Sequence, residues 1–175
     1  MTFPCSFMLV AAMNPCPCGY YGDPKRACRC SPGQVERYRQ KISGPLLDRI
    51  DLHVEAPSVE YKELSDNVPA ESSAIIRERI VNAPEIQNLR FAKSRKVTCN
   101  ARMSHAQLKE HCRLDDRGNE LLKNAMTDLN FSARAYDRIL KVARTISDLA
   151  ASPVISPEHL LEALSYRNLD RNVWQ

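Results

Sequence analysis

Four of the seven cysteines lie within fifteen residues, as two Cys-x-Cys pairs separated by nine residues. They are Cys16, Cys18, Cys28 and Cys30. Four thiolates arranged tetrahedrally, each about 2.3 Å from a zinc ion, would close this turn-rich loop without an apolar core. The Cys-x-Cys spacing is tighter than the Cys-x-x-Cys of most zinc knuckles, and free thiols or a redox pair are the alternatives. We expect a structural zinc site that has no open coordination position for catalysis.

A second candidate is Arg49, which lies in the middle of residues 44–55. Glycine and proline open this segment and interrupt any preceding helix, and two leucines then favour a short helical turn. Apolar and polar residues alternate over 50–55, which is the pattern of a strand with one buried face. An arginine held between a turn and a strand keeps its charge and can be presented to a phosphate. The alternative is an ion pair with Asp48 or Asp51 at a surface corner.

Asn14 is a third candidate because it follows a nearly continuous apolar run over residues 7–13. Such a run is typical of a strand that is buried on both faces of a parallel sheet. Ligands of open α/β sheets bind at the carboxyl ends of the strands, which is where Asn14 is expected. The alternative is a simple turn in which the asparagine precedes Pro15.

The fourth candidate, Arg134, is expected at the second position of a helix that Ser132 caps. The backbone amides and the dipole at the N-terminus of a helix favour an anion there. Basic residues follow at spacings of 4, 3 and 3, which places them on the same helix face as Arg134: Arg138, Lys141 and Arg144. The alternative is that this basic stripe is only solvated.

Helices are predicted to position most of these residues. Capping residues predict helix starts at Ser31, Ser104, Asp115, Ser132 and Ser156. A further helical pattern runs over 71–94, and Pro84 is expected to kink or interrupt it. The basic residues of this helix and of the helix after Ser31 are expected to be solvated, with phosphate or DNA contact as the alternative. The four histidines are scattered and are assigned no chemistry.

The composition limits the classes of function. Of the 175 residues 43% are apolar, enough for a folded core, and the net charge of +4 is compatible with a nucleic-acid partner. Without an apolar run of membrane-spanning length or an export signal, we expect a cytoplasmic protein whose cysteines bind metal. Neither the phosphate-binding pattern Gly-x-x-x-x-Gly-Lys-Ser/Thr nor an acidic magnesium ligand after an apolar run is present, so we do not expect this chain alone to hydrolyse ATP.

Three segments resemble AAA+ ATPases of the magnesium-chelatase and MCM branch. Residues 7–15 resemble its sensor-1 strand, residues 44–51 its arginine-finger segment, and residues 132–138 its sensor-2 helix. With Cys-Pro-Cys-Gly-Tyr over 16–20, the chain is similar to the magnesium-chelatase-like family that includes competence proteins. The nucleotide-binding motifs of that family precede sensor 1, so the chain is expected to be the C-terminal part of a longer protein.

The resemblance implies a fold class and a division into domains. An α/β fragment of the AAA+ P-loop NTPase core would cover residues 1–57, with a Cys-rich insert at 16–30. A linker over 58–70 would lead to an all-α lid over 71–175. The lid would correspond to the helical C-terminal domain of magnesium chelatases.

The resemblance also implies roles for the candidate residues. Asn14 would orient the attacking water, Arg49 would reach the γ-phosphate on a neighbouring subunit, and Arg134 would contact nucleotide phosphates on its own subunit or, as in MCM relatives, in trans. ATP and magnesium would bind at the interfaces of a homo-oligomeric ring, expected to be a hexamer, that remodels DNA as a helicase or in branch migration. The alternatives are a magnesium-chelatase motor subunit and a non-enzymatic zinc-containing module that binds nucleic acid or protein.

Overall fold

The structure, a computed structural model, describes residues 5, 7–57, 59, 71–94 and 96–167. The chain divides into two compact units, Met1–Ser43 and Gly44–Gln175. Regular secondary structure in the described residues is helical, and none of these helices is long and apolar enough to cross a membrane. The predicted linker over 58–70 lies outside the described residues except for Val59.

The described residues of the first unit are irregular apart from one helix, α1 (Pro32–Arg39). The predicted capping box forms, and the Ser31 amide donates to the side-chain oxygen of Gln34 at 2.9 Å. α1 is short and polar, and among its residues Val35 is buried. Little apolar surface is therefore available to hold this unit together.

The described part of the second unit is built from α-helices and one 3₁₀ turn. These are α2 (Gly44–Leu47), α3 (Ser73–Arg90), the 3₁₀ turn Asn100–Arg102, α4 (His105–His111), α5 (Asp116–Asp128), α6 (Ala133–Leu149) and α7 (Pro157–Ser165). Each cap predicted in this unit forms, with a side-chain oxygen accepting from a backbone amide of the first turn: Ser104, Asp115, Ser132 and Ser156. The short helical turn predicted around the two leucines is α2.

α6 is the central helix of the second unit. Its buried residues Ile139, Leu140 and Ala143 join Leu122 of α5 and Leu160 of α7 in one apolar core. Fully burying a leucine or isoleucine side chain contributes roughly 1.5–3 kcal/mol, so this cluster is the main source of stability in the unit. The predicted all-helical lobe is confirmed.

The two predicted strands, over 7–13 and 50–55, are not formed in this structure. A strand is stable when a neighbouring strand satisfies its backbone groups and other elements cover its side chains. No described residue does this for 7–13, where Phe7 is 76% exposed and Val10 is 83% exposed. The α/β part of the predicted fold is therefore not confirmed.

A buried polar network crosses the second unit. The carboxylate of Asp148 in α6, whose side chain is fully buried, accepts from Arg90 at 2.7 Å, from Asn100 at 2.8 Å and from Arg144 at 3.1 Å. Arg90 was expected on a solvated face and Arg144 on the basic stripe of Arg134, and the structure corrects both assignments. Helical spacing predicts the side of the helix on which a side chain lies but not its partner. Here the buried carboxylate of Asp148 binds both guanidinium groups inside the protein. α3 continues through Pro84, so of the two predicted effects the interruption is wrong and the kink stays a prediction.

Candidate functional site

Arg49 is exposed, and the aspartates on both sides of it in sequence bond to side chains at the start of α6 and within it. On one side, the carboxylate of Asp48 accepts from the Ser132 hydroxyl at 3.0 Å. On the other side, Asp51 forms an ion pair with Arg138. The guanidinium of Arg49 has no hydrogen bond or ion pair with another described residue, while its backbone amide donates to the carbonyl of Leu46 at 3.0 Å. The ion pair with Asp48 or Asp51 that the sequence left open is therefore not formed, because both carboxylates have other partners.

Residues that follow α7 make further hydrogen bonds to the same segment, which we call the Arg49 segment (residues 47–53). The buried guanidinium of Arg167 donates to the carbonyl of Ile50 and lies 3.8 Å from Asp48. The amide of His53 donates to the carbonyl of Tyr166 at 2.8 Å. The backbone on both sides of Arg49 is thus held while its guanidinium extends into solvent.

Arg134 lies in the first turn of α6, as the sequence predicted, and is exposed. It lines a cleft of about 360 Å³ between the α5–α6 connection and the Arg49 segment. The other lining residues are Gly44, Pro45, Leu47, Asp48, Leu129, Asn130, Phe131 and Ser132. The cleft therefore places the exposed Arg134 next to the segment that contains Arg49.

The N-terminus of α6 is not a free anion site, contrary to the reasoning from sequence. The Ser132 hydroxyl accepts from the Ala135 amide at 3.2 Å and donates to Asp48, whose carboxylate already provides the negative charge that this helix end favours. A phosphate in the cleft would therefore lie near a resident anion. The side chain of Arg134, rather than the amides of the helix, is the group that can bind it.

The predicted basic stripe of α6 separates into different environments. Arg138 pairs with Asp51, and the Lys141 ammonium donates to the carbonyl of Ala101 at 3.0 Å. Arg144 is buried and bonds to Asp148. Arg134 is the member of this stripe whose side chain has no hydrogen bond or ion pair among the described residues.

Asn14 lies in the first unit, whereas Arg49 and Arg134 lie in the second. It is exposed and directly precedes the cysteine loop, next to Gly19, whose φ of +85° forms a turn that favours glycine. The structure brings Arg49 and Arg134 into one unit. The role of Asn14 stays a prediction.

The four cysteines of the first unit form a compact cluster, as predicted. Their sulfur atoms all lie within 4.8 Å of one another, with Sγ–Sγ distances of 3.4 Å for Cys16–Cys18, 3.5 Å for Cys18–Cys28 and 3.7 Å for Cys16–Cys28. A tetrahedral zinc–thiolate site with Zn–S bonds of about 2.3 Å has sulfur–sulfur distances of about 3.8 Å. Each cysteine is a free thiol. The donor set and its spacing therefore fit zinc.

Backbone amides around the cluster are arranged to stabilise a thiolate. Hydrogen bonds from the amides of Tyr20 and Arg29 lower the pKa of Cys18 to about 6. At Cys28 the Cys30 amide lowers the pKa, but desolvation and the neighbouring thiols raise it more, to about 12. The pKa values of Cys16 and Cys18 are lowered and those of Cys28 and Cys30 are raised, and a divalent cation would allow all four thiols to ionise.

Reasoning from sequence missed how the Arg49 segment is held. Asp48 and Asp51 were considered only as partners of Arg49, and Arg167 was not considered. Ser132 is 84 residues away from Asp48 along the chain, and no local spacing reports such a contact. The one local signal was a pair of carboxylates beside a single arginine, with no second lysine or arginine between Lys41 and Lys62 to neutralise them.

Two family models match the chain. The model described as magnesium chelatase, subunit ChlI, covers residues 1–64, and the one described as magnesium chelatase, subunit ChlI C-terminal, covers residues 70–167. Together they span both compact units.

Similar proteins come from several bacteria. YifB of Escherichia coli K12 is 42% identical over 98% of this chain and 33% of its own length, and competence protein ComM of Haemophilus influenzae is 42% identical over 97% of this chain and 32% of its own length. Rv2897c of Mycobacterium tuberculosis is 34% identical over 94% of this chain and 32% of its own length. The chain thus spans about a third of the length of the curated relatives it matches.

Proposed function

Since the chain belongs to the magnesium chelatase ChlI family, we propose that it supplies the phosphate-sensing arginines of a ring-forming AAA+ ATPase that remodels DNA. It would act within a longer polypeptide that also contains a phosphate-binding loop and a magnesium ligand. ATP and magnesium would then bind at the interfaces between identical subunits. The isolated chain has no such loop, so we expect it to have no ATPase activity of its own.

The observation that supports this proposal most directly is the environment of Arg49. An exposed cation on a tied segment is suited to reach across an interface to the γ-phosphate of a neighbouring subunit. An arginine in that position stabilises the charge that develops during phosphoryl transfer and contributes about 10³–10⁵ in rate in related chemistry.

Arg134 and Asn14 would complete the site from the same subunit or a neighbouring one. Arg134 lines a cleft beside the Arg49 segment and would bind nucleotide phosphates through its guanidinium. Asn14 would orient the attacking water from its position before the cysteine loop.

DNA is proposed as the substrate because the Haemophilus influenzae relative is named a competence protein, and competence is the uptake of DNA. The family description favours a second candidate, a motor subunit that drives metal insertion into a porphyrin. Stimulation of ATP hydrolysis by DNA but not by a porphyrin acceptor and magnesium would select the first. The opposite result would select the second.

We further propose that Cys16, Cys18, Cys28 and Cys30 hold a structural zinc ion. With four protein ligands the ion would have no free coordination position, so it would cross-link the loop rather than take part in hydrolysis. The turn at Gly19 and the amide donors around Cys18 would orient the thiolates.

A subunit-mixing experiment on the longer protein tests the role of Arg49. Arg49→Ala should abolish hydrolysis while ATP binding stays nearly intact. Rings that combine Arg49→Ala subunits with phosphate-loop mutant subunits should recover activity, because some interfaces then pair an intact arginine with an intact loop. Arg77→Ala removes an equally exposed charge from α3 and should leave hydrolysis unchanged. If mixed rings stay inactive while wild-type subunits diluted into either mutant remain active, Arg49 does not act across the interface.

A further inference from the structure

The net positive charge of the chain comes entirely from the first unit. Between residues 16 and 41 there are six lysines and arginines and two acidic residues, a net charge of +4 that equals the net charge of the whole chain. The second unit therefore carries equal numbers of basic and acidic residues. Local concentration of charge in this way, rather than total charge, indicates a surface for an anionic partner.

Both acidic residues of this region are engaged by neighbouring groups. Asp23 accepts from the amides of Lys25 and Arg26 at 2.7 and 3.2 Å, and Glu36 accepts from the side chain of Gln40 at 3.2 Å. The basic side chains are largely exposed: Lys25, Arg26, Arg29, Arg37 and Lys41, with Arg39 half-buried. The cations thus dominate the solvent-facing surface.

Tyrosines are interleaved with these cations. The guanidinium of Arg26 lies 5.2 Å from the ring centre of Tyr20 and donates to its hydroxyl at 2.8 Å. Arg39 of α1 lies 4.7 Å from the ring of Tyr21, which is 47% exposed. The Lys41 ammonium lies 5.8 Å from the ring of Tyr38. The contact between Arg39 and Tyr21 joins the cysteine loop to α1, so the cations and the rings form one surface.

We propose that this surface, residues 16–41, binds single-stranded nucleic acid. The exposed cations would contact successive phosphates, and the tyrosine rings, Tyr21 foremost, would stack on unpaired bases. Cations that follow the backbone and aromatic rings that accept any base are the two components of sequence-tolerant single-strand binding. The cysteine cluster would hold the loop in shape. A surface for an acidic peptide would need the cations but not the tyrosine rings. The presence of the rings therefore favours nucleic acid over an acidic peptide.

The inference draws on the proposed function only in choosing DNA as the probe. Binding is measured on the 175-residue chain without ATP, so the result does not depend on ATP hydrolysis. The probe is a fluorescein-labelled 15-nucleotide oligo-dT, followed by anisotropy, with a duplex of the same length for comparison. Failure here would leave the ATPase proposal standing, and failure of the mixing experiment would leave this surface standing.

Substitution of the ring tests stacking. Tyr21→Ala should weaken oligo-dT binding by about 5- to 150-fold, the range that one lost base stack gives, whereas Tyr21→Phe keeps the ring and should bind nearly as well as wild type. Equal loss in the two variants, or tighter binding to the duplex than to the single strand, would overturn the proposal.

Substitution of the cations tests the phosphate contacts and does not depend on the folding of the Tyr21 variants. In Arg37→Ala/Lys41→Ala, the slope of log affinity against log salt should fall by about 1.4, since each phosphate contact on single strands contributes about 0.7. The control Arg77→Ala/Arg113→Ala removes the same charge from exposed sites of the second unit and should leave the slope unchanged. An equal fall in the control, or displacement of the DNA by an acidic peptide of equal charge at the same concentration, would show that no specific surface exists.

Discussion

In the first unit four sulfur atoms lie within 4.8 Å of one another and α1 buries Val35, whereas in the second unit a continuous apolar core surrounds α6. The first unit therefore has little apolar core, whereas the second is stabilised by burial. The distribution of charge differs as well. The first unit has six cations and two carboxylates between residues 16 and 41, whereas the second unit has a net charge of zero, binds Arg90 and Arg144 inside the fold, and leaves Arg49 and Arg134 exposed.

This difference indicates which residues are available for function in each unit. A unit with little core presents a large share of its side chains to a partner, so its function is expected to be spread over a surface. A unit with a large core can hold a few side chains in defined positions, so its function is expected to depend on single residues. Removing the stabilising interactions of one unit at a time tests whether the two units differ in this way.

Removal of metal is expected to have the largest effect, because structural zinc contributes about 10–16 kcal/mol of apparent binding free energy in small zinc domains. Elemental analysis of protein purified under reducing conditions should find about one zinc per chain. Chelation should make the amides of 16–30 exchange with solvent rapidly, while the thermal transition of the helical unit stays unchanged. Slow exchange in metal-free protein would show that the loop needs no ion.

Asp148→Ala should have the largest effect on the helical unit. It leaves Arg90 and Arg144 without their buried carboxylate, and breaking a buried ion pair in this way costs about 3–5 kcal/mol. Urea unfolding measures the loss. Glu71→Ala removes the exposed pair with Arg79 and should cost less than about 1 kcal/mol. Similar losses in both variants would contradict the burial argument.

The same carboxylate gives the helical unit an acid-sensitive component. Desolvation raises the pKa of Asp148, but hydrogen bonds from Arg90 and Asn100 and the charge of Arg144 lower it below its ordinary value. A lowered pKa stabilises the fold above the unfolded-state value of about 3.9, and that stabilisation is lost as the pH falls through the folded-state value. The stability advantage of wild type over Asp148→Asn should therefore be constant at neutral pH and shrink below about pH 4. A constant advantage down to pH 2 would exclude Asp148 as its source.

Arg138→Ala should have a small effect on stability, about 0.5–1 kcal/mol, because its pair with Asp51 is partly solvated. Its local effect should be clearer. The amides of the Arg49 segment should exchange faster by hydrogen–deuterium exchange, while those of the cysteine loop stay unchanged. Exchange that is unaltered in the Arg49 segment would show that Asp48 and Arg167 hold it without Asp51.

Arg49→Ala should have the smallest effect on stability, within about 0.5 kcal/mol, because no hydrogen bond or ion pair to another described residue is lost. Together with loss of hydrolysis in the longer protein, this result would show that Arg49 contributes to activity and not to stability. A destabilisation above about 1 kcal/mol in thermal unfolding would instead assign the residue a structural role.

The helices were predictable because their signals are local. A serine or aspartate followed by a helical apolar pattern identifies a helix start within one turn, and Ser104, Asp115, Ser132 and Ser156 all form the expected caps. The grouping of the four cysteines could also be predicted, because residues so near to one another in sequence cannot lie far apart in space.

The strands and the pairing of charges were not predictable in the same way. An apolar run such as residues 7–13 specifies a strand only together with the strands beside it, and the described residues contain none. The spacing of Arg134 and Arg144 in α6 is compatible with one basic face, yet Arg144 turns inward because Asp148 lies one turn further along the same helix. Contacts between distant positions, such as Asp48 with Ser132, decide which arginines remain available.

The ties around Arg49 have a thermodynamic consequence. Ordering a mobile backbone costs about 1–2 kcal/mol per residue, and an arginine on a loose loop would lose that freedom each time it met a ligand. Here the backbone on both sides of Arg49 is already ordered by Asp48, Asp51 and Arg167. What remains to be ordered is the rotamer freedom of one side chain, about 2 kcal/mol for arginine. The entropy of positioning this cation is thus largely lost when the protein folds, before any ligand arrives.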